Sequence, residues 1–347
     1  MKVIGLLVSS VLILSSCGGP RALTDSDSQA EEPVGQTLPS DTDSTETPDT
    51  SDSSAPEDDG TAIDETQSET DESNTPESEP QEPEEPEVDP ACDVDGDGYL
   101  NAGCDGDDCD DENAFNHPGQ VEICDFDDNN CIDGINDAIE CVVYAHDFGT
   151  LFEVDPFLGT IEEVTSVPGL FDFDTSLDGT LYGLTPSSFY VFDDTDSTWN
   201  YLGPMSAPSG TPNGFAIDSS GTGYATAGNY VYRVNITTGE TTLVGQMGGG
   251  FSSSGDCVVD KADGLYMTSS GLGSDDLVQI NRETGIGTLI GSTGVSSIYG
   301  LTAAWGFMFG FTGGGQVALI DPQTAEGQVL HSFSGYSFYG AASSPLR

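Results

Sequence analysis

Between residues 92 and 141 the chain places six cysteines and sixteen carboxylates but neither Lys nor Arg. Carboxylates at that density repel one another on folding unless a cation sits among them. The run Asp93-Val94-Asp95-Gly96-Asp97-Gly98-Tyr99-Leu100-Asn101 has the spacing to hold one. It matches the first half of an EF-hand loop, with side-chain oxygens from Asp93, Asp95 and Asp97 and a glycine for the sharp turn. The main-chain carbonyl of Tyr99 and a water-bridged Asn101 would follow. The bidentate Glu that closes such a loop is replaced by Cys104. Further ligands must therefore come from elsewhere, and Asp105, Asp107, Asp108, Asp110 and Asp111 follow at once. A second oxygen-rich run holds Asp125, Asp127, Asn129, Asp133 and Asp137 around a glycine turn at Gly134. Hard oxygen donors favour calcium. Copper, the less favoured ion, prefers imidazole and thioether, and the segment has one His, His117, and no Met.

The cysteines must hold this cluster in shape. The segment has few apolar side chains (Leu100, Phe115, Val121 and Ile135 among them), too few for a core, so covalent staples are expected. Cys92, Cys104, Cys109, Cys124, Cys131 and Cys141 permit three disulfides, and the sequence leaves their pairing open. The whole pattern, DxDGDGY at residues 93–99, DCDD at 108–111, Pro118-Gly119, EICD at 122–125 and the Asp/Asn run at 128–134, resembles the MopE-type metal-binding motif of secreted bacterial proteins. The resemblance covers residues 92–141 and implies a metal-binding role for that module.

Beyond Cys141 the composition turns to Gly, Ser, Thr and alternating apolar residues. Tyr144, Tyr182, Tyr224, Tyr266 and Phe309 recur at intervals of 38, 42, 42 and 43 residues. Each is followed by a polar residue closing the next strand, at Asp155, Asp193, Asn235, Asn281 and Asp321. A repeat of about 41 residues is the length of one four-stranded propeller blade. In the middle unit the strands are expected at 214–218, 223–226, 230–235 and 240–245. The tail FYGAASS at 338–344 repeats the inner-strand start IYGLTAA at 298–304, whereas the first unit lacks an inner strand. The expected fold is therefore all-β, a five-bladed β-propeller over residues 142–347 closed by pairing its two ends. Asp174, Asp218 and Asp260 are expected to cap turns after inner strands, and Cys257 to be a buried free thiol. His146 and His331 match no metal-ligand spacing.

Residues 1–16 read as a signal peptide, with Met1-Lys2 before an apolar stretch too short to span a bilayer. Leu14-Ser15-Ser16-Cys17 resembles the bacterial lipobox. That resemblance implies cleavage before Cys17, acylation (palmitate among the chains) and an outer-membrane, cell-surface location. Residues 21–90 hold 24 Asp or Glu against Arg21 alone, so residues 17–91 are expected to form a disordered acidic tether. The net charge of -55 argues against binding nucleic acid.

No nucleophile elbow, P-loop, dinucleotide fingerprint or HExxH occurs. The expected function is binding rather than catalysis: a lipid-anchored, calcium-dependent adhesion module whose propeller takes a glycan, peptide or protein. A propeller glycoside hydrolase and a copper-binding surface protein are the alternatives.

Overall fold

The structure, a computed structural model, describes residues 89–343. The expected signal peptide, Cys17 and the expected tether up to residue 88 lie outside the described residues.

Short alternating strands separated by Gly, Asp and Asn turns can bury only one or two faces each, and here they assemble into five antiparallel sheets of four strands. Blade 1 holds β1 (Val143–His146), β2 (Thr150–Asp155) and β3 (Thr160–Ser166). Blade 2 runs through β4 (Asp172–Thr175), β5 (Leu181–Leu184), β6 (Ser188–Asp193) and β7 (Thr198–Pro204). Blade 3 is β8 (Gly214–Ile217), β9 (Gly223–Ala227), β10 (Tyr230–Val234) and β11 (Thr241–Gln246), within a residue or two of the expected bounds. Blade 4 is β12 (Ser253–Val259), β13 (Leu265–Ser270), β14 (Asp275–Ile280) and β15 (Gly287–Ser292). Blade 5 is β16 (Ile298–Ala304), β17 (Phe307–Thr312), β18 (Gln316–Ile320) and β19 (Gly327–Ser332).

The inner strand of blade 1 is β20 (Gly340–Ala342), which pairs with β1 through Tyr144 and Ala342, Ala145 and Ala341, and His146 and Gly340. The ends of the propeller thus share one sheet. Innermost strands touch in the cyclic order β20, β4, β8, β12, β16 and back to β20. Five apolar clusters fill the five gaps between neighbouring blades. The repeat anchors Tyr144, Tyr182, Tyr224, Tyr266 and Phe309 all lie on the second strand of their blade. The polar residues after the third strand cap the turn to the fourth, as Asp155 does for the N–H groups of Phe157 and Leu158, and Asn281 for those of Glu283 and Thr284. Every blade also carries a bulge between its two outer strands, which deepens the twist.

The module at 92–141 contains one short 3-10 helix (Ala102–Cys104) and otherwise irregular chain. It is built inside out. Val94, Phe115, Val121, Ile123 and Ile132 are exposed, whereas Asp108, Asn116, Glu122, Asn129 and Asn136 are buried. These polar side chains replace a backbone ladder. Glu122 accepts the N–H groups of Asn130 and Asn136, Asn136 binds both main-chain groups of Asp125, and Asn129 donates to Asn116 Oδ1. The disulfides pair Cys92 with Cys104, Cys109 with Cys131 and Cys124 with Cys141.

Candidate metal centre and channel mouth

The Cys92–Cys104 bridge ties together the two ends of the half EF-hand. Where the missing Glu would have closed the loop through a metal, a covalent bond closes it instead. Local turns then orient the carboxylates, with Asp93 accepting the Gly96 N–H at 2.8 Å and Asp97 the Tyr99 N–H at 2.8 Å. Ligand oxygens of Asp93, Asp95 and Asp97 lie within 4.8 Å of one another. A bridge between Asn101 and Asp108 carries a fourth carboxylate toward them. The outer oxygens of Asp95, Asp97 and Asp108 are all buried without a hydrogen-bond partner. Loss of hydration pushes the Asp108 carboxyl up, and the charges of Asp97, Asp95 and Asp111 add to the shift. Like charges gathered out of water with unused lone pairs fit a cation of oxygen-seeking type.

The other candidate ligands have different surroundings. Asp111 accepts from Val94 N and Asn101 Nδ2, and Asn101 Oδ1 accepts from Gly103 N. Asp110 accepts from Glu112 N and, at 3.4 Å, from Asn116 Nδ2. Asp105 and Asp107 are exposed. In the second run, Asp125 accepts the Asp127 N–H, Asn129 Oδ1 accepts from Ile123 N, and Asp137 accepts from Asn130 Nδ2 at 2.7 Å. Asp133 adopts a left-handed turn beside Gly134. His117 stacks on Tyr99, with ring centroids 4.3 Å apart. Cys109 and Cys131 sit beside Asp108 but are joined to each other, so they offer no thiolate.

At the propeller axis the inner strands present edges whose N–H groups need partners. Aspartates provide them across the ring. Asp172 in β4 accepts from Phe215 of blade 3, Asp174 from Ile217 at 2.7 Å, and Asp256 in β12 from Leu301 of blade 5 and Ala341 of β20. Burial pushes Asp172 well up, helped by the charge of Asp256, and pushes Asp256 up to about 8. Burial likewise lowers His146 to about 4, leaving a neutral ring whose Nδ1 lies 2.6 Å from the Asp147 carbonyl. One sequence-based role needs correction. Asp218 and Asp260 do cap the turns after their inner strands, but Asp174 lies within β4 and bonds the next blade instead. The turn position in blade 2 belongs to Ser176, which binds the Thr180 carbonyl. Cys257 is free and buried, as expected.

Above this plug a cavity of about 300 Å³ opens, lined by Phe148, Leu170, Phe171, Asn213, Ser254, Gly255, Tyr299 and Tyr339. Phe171, Asn213, Gly255, Tyr299 and Tyr339 come from the beginnings of the five inner strands, one per blade. Tyr299 and Tyr339 lie nearly parallel with centroids 5.9 Å apart, and Phe148 rests on Tyr339 at 4.2 Å. Asn213 Oδ1 is buried without a partner, while its Nδ2 reaches Ser253 O at 3.4 Å. Sequence reading missed this mouth. The signal was present in the shared Tyr-Gly of residues 299–300 and 339–340, which marked strand starts but not their convergence.

No family model and no curated protein matches the chain. Among solved structures, a chain of a nidogen/laminin complex is 12% identical, covers 58% of this chain and 97% of its own, with a TM-score of 0.43. A Bacteroides thetaiotaomicron protein of unknown function is 15% identical over 62% of each chain, at TM-score 0.41. A streptogramin B lyase is 13% identical over 56% of this chain and 70% of its own, at 0.36. The propeller assignment rests on the strand pairing of this chain itself.

Proposed function

We propose that the protein is a surface-anchored binding module, tethered by lipid on Cys17, in which calcium orders residues 92–141 and the propeller presents the ligand site. The observation that carries the calcium assignment is the trio of buried, unpartnered oxygens on Asp95, Asp97 and Asp108. With Asp93 and the Tyr99 carbonyl these would hold the ion. Its charge would offset their mutual repulsion and link ion binding to folding of the module. Copper lacks comparable support, because the one imidazole of the module is stacked on Tyr99.

Binding is favoured over glycoside hydrolysis by the placement of the propeller's carboxylates. Hydrolysis needs two of them facing the scissile bond across roughly 5–9.5 Å. Those converging on the axis are buried and bonded to backbone N–H groups, and the residues lining the mouth include no carboxylate.

Calorimetric titration of the chelator-stripped full chain with CaCl2 tests the calcium reading. The parent should show a site tighter than its exposed carboxylates provide, and Asp97→Ala or Asp108→Ala should weaken it at least tenfold. A parent that titrates no more tightly than either variant refutes it. Copper(II) retained in excess calcium-selective chelator and lost in His117→Ala would favour the copper alternative.

A further inference from the structure

The channel mouth combines four properties that together select a ligand. Its walls are aromatic, and Phe148 stays 57% exposed while lying against Tyr339. An aromatic surface left open to water beside a cavity is a contact surface awaiting an apolar face. None of its lining residues is charged. Arg233 and Arg282, which could have attracted an anion, pair instead with Glu283 and Asp218 away from the mouth. The carboxylates beneath it are occupied by backbone N–H groups and favour the protonated form, so an ammonium group would find no ionised partner in contact. Among the lining residues, the one buried side-chain polar atom lacking a partner is an acceptor, Asn213 Oδ1. An occupant must therefore bring a donor.

We propose that the mouth binds one end of a neutral carbohydrate, its C–H face stacked on Tyr339 and Tyr299 and a ring hydroxyl donating to Asn213 Oδ1. A sugar ring has an apolar C–H face and a rim of hydroxyls, the pairing these walls and this acceptor require. The cavity, about 300 Å³, is at the lower end of ligand pockets. Its floor is closed by the aspartate-stitched ring, so the glycan enters end-on with its terminal residue and cannot thread the channel. The proposal rests on the reading of the propeller as the ligand-bearing part.

Saturation-transfer NMR on the full chain, with a panel of neutral mono- and disaccharides, reads this site. Glucuronate and tetramethylammonium serve as anionic and cationic probes. At least one neutral sugar should receive saturation, with both charged probes silent. Tyr339→Ala and Asn213→Ala should each weaken binding tenfold or more. Phe148→Ala, at a largely exposed position, should weaken it with an unchanged thermal melt, which covers the case in which a ring variant fails to fold. Silence across the neutral panel, binding indifferent to all three substitutions, or tetramethylammonium displacing the sugar overturns the proposal. Repeating the titration in chelator separates the two readings. Sugar binding that survives ion removal keeps the mouth and removes the calcium dependence, whereas calcium binding without any sugar binding does the reverse.

Discussion

Asp256 and His146 share the propeller's interior and respond to pH with opposite signs. The folded-state value of Asp256, about 8, lies above that of an unfolded Asp near 3.9. Its contribution is present in full below about pH 4 and is lost as pH rises toward about 8. His146, at about 4 against an ordinary 6.5, contributes stability that is present above about 6.5 and lost as pH falls toward 4. The two oppose each other between these limits, and Asp172, also pushed well up by burial and by the Asp256 charge, acts with the sign of Asp256, so above about pH 6.5 the slope belongs to this carboxyl pair rather than to His146. In saturating calcium the melting temperature should fall between about pH 6.5 and 8. Asp256→Asn should reduce the slope without abolishing it, because burial still holds the Asp172 carboxyl up, and exchanging an acceptor for an amide beside the Leu301 N–H lowers overall stability by about 1–3 kcal/mol. A parent curve that is level or rising from pH 6.5 to 8 would contradict the assignment.

Inner strands are the elements on which both the ring and the mouth depend, and five of them leave a narrow axis. Small residues at their starts make the approach possible. A Cβ on Gly300 of β16 would lie 2.9 Å from the Gly340 carbonyl carbon and 3.0 Å from the Ala341 nitrogen of β20, both backbone atoms unable to swing aside. Gly300→Ala should therefore cost about 1–3 kcal/mol by overpacking. Gly314, in the loop after β17, has only the Thr312 hydroxyl at 3.7 Å from such an atom and carries no left-handed φ. Gly314→Ala should be nearly neutral. Thermal melts of the two variants decide the point, and equal losses would mean that the inner ring has slack. In the acidic module the equivalent of such packing is covalent and polar, since its disulfides and buried Asn side chains do what apolar contacts do in the blades.

Closure makes the propeller one cooperative body. Phe338 and Ala341, contributed by the last stretch of chain, are buried in the cluster between blades 5 and 1, where Phe338 meets Phe311 edge-on at 5.3 Å. The acidic module sits on the same seam, with Phe126 packed 4.8 Å from Phe157 of blade 1 and 5.4 Å from Phe307 of blade 5. Cys124 is bonded to Cys141, itself buried in that cluster. Deleting residues 336–347 removes β20, exposes the edge of β1 and opens this cluster to water. The truncated chain should aggregate or melt far below the parent, in contrast to the near-neutral effect of trimming a loose terminus. Parent-like melting of the deletion would refute closure at this seam.

Much of this architecture was legible in the chain, because propeller blades are local. The anchors Tyr182, Tyr224, Tyr266 and Phe309 pair with strands on both sides within their own units of about 41 residues, so the interval set the blade count, while Tyr144 pairs with Ala342 of the tail FYGAASS, which matched the missing strand. The half EF-hand pattern was equally local, its candidate ligands alternating along one turn from Asp93 to Asp97. What the tertiary structure decided joins residues far apart. It selected Cys92–Cys104, Cys109–Cys131 and Cys124–Cys141 from the open pairings, because bridging follows the path of the folded chain. Among the acidic residues it brought the unpartnered oxygen of Asp108 toward those of Asp95 and Asp97, while Asp111 and Asn101 bond to each other. It moved Asp174 from a turn to an inter-blade bond, a difference of two residues that repeat spacing cannot resolve when one blade departs in register. It also assembled the mouth from Phe171, Asn213, Gly255, Tyr299 and Tyr339. These five are dispersed in sequence and meet only because cyclic packing brings the starts of the inner strands to one axis.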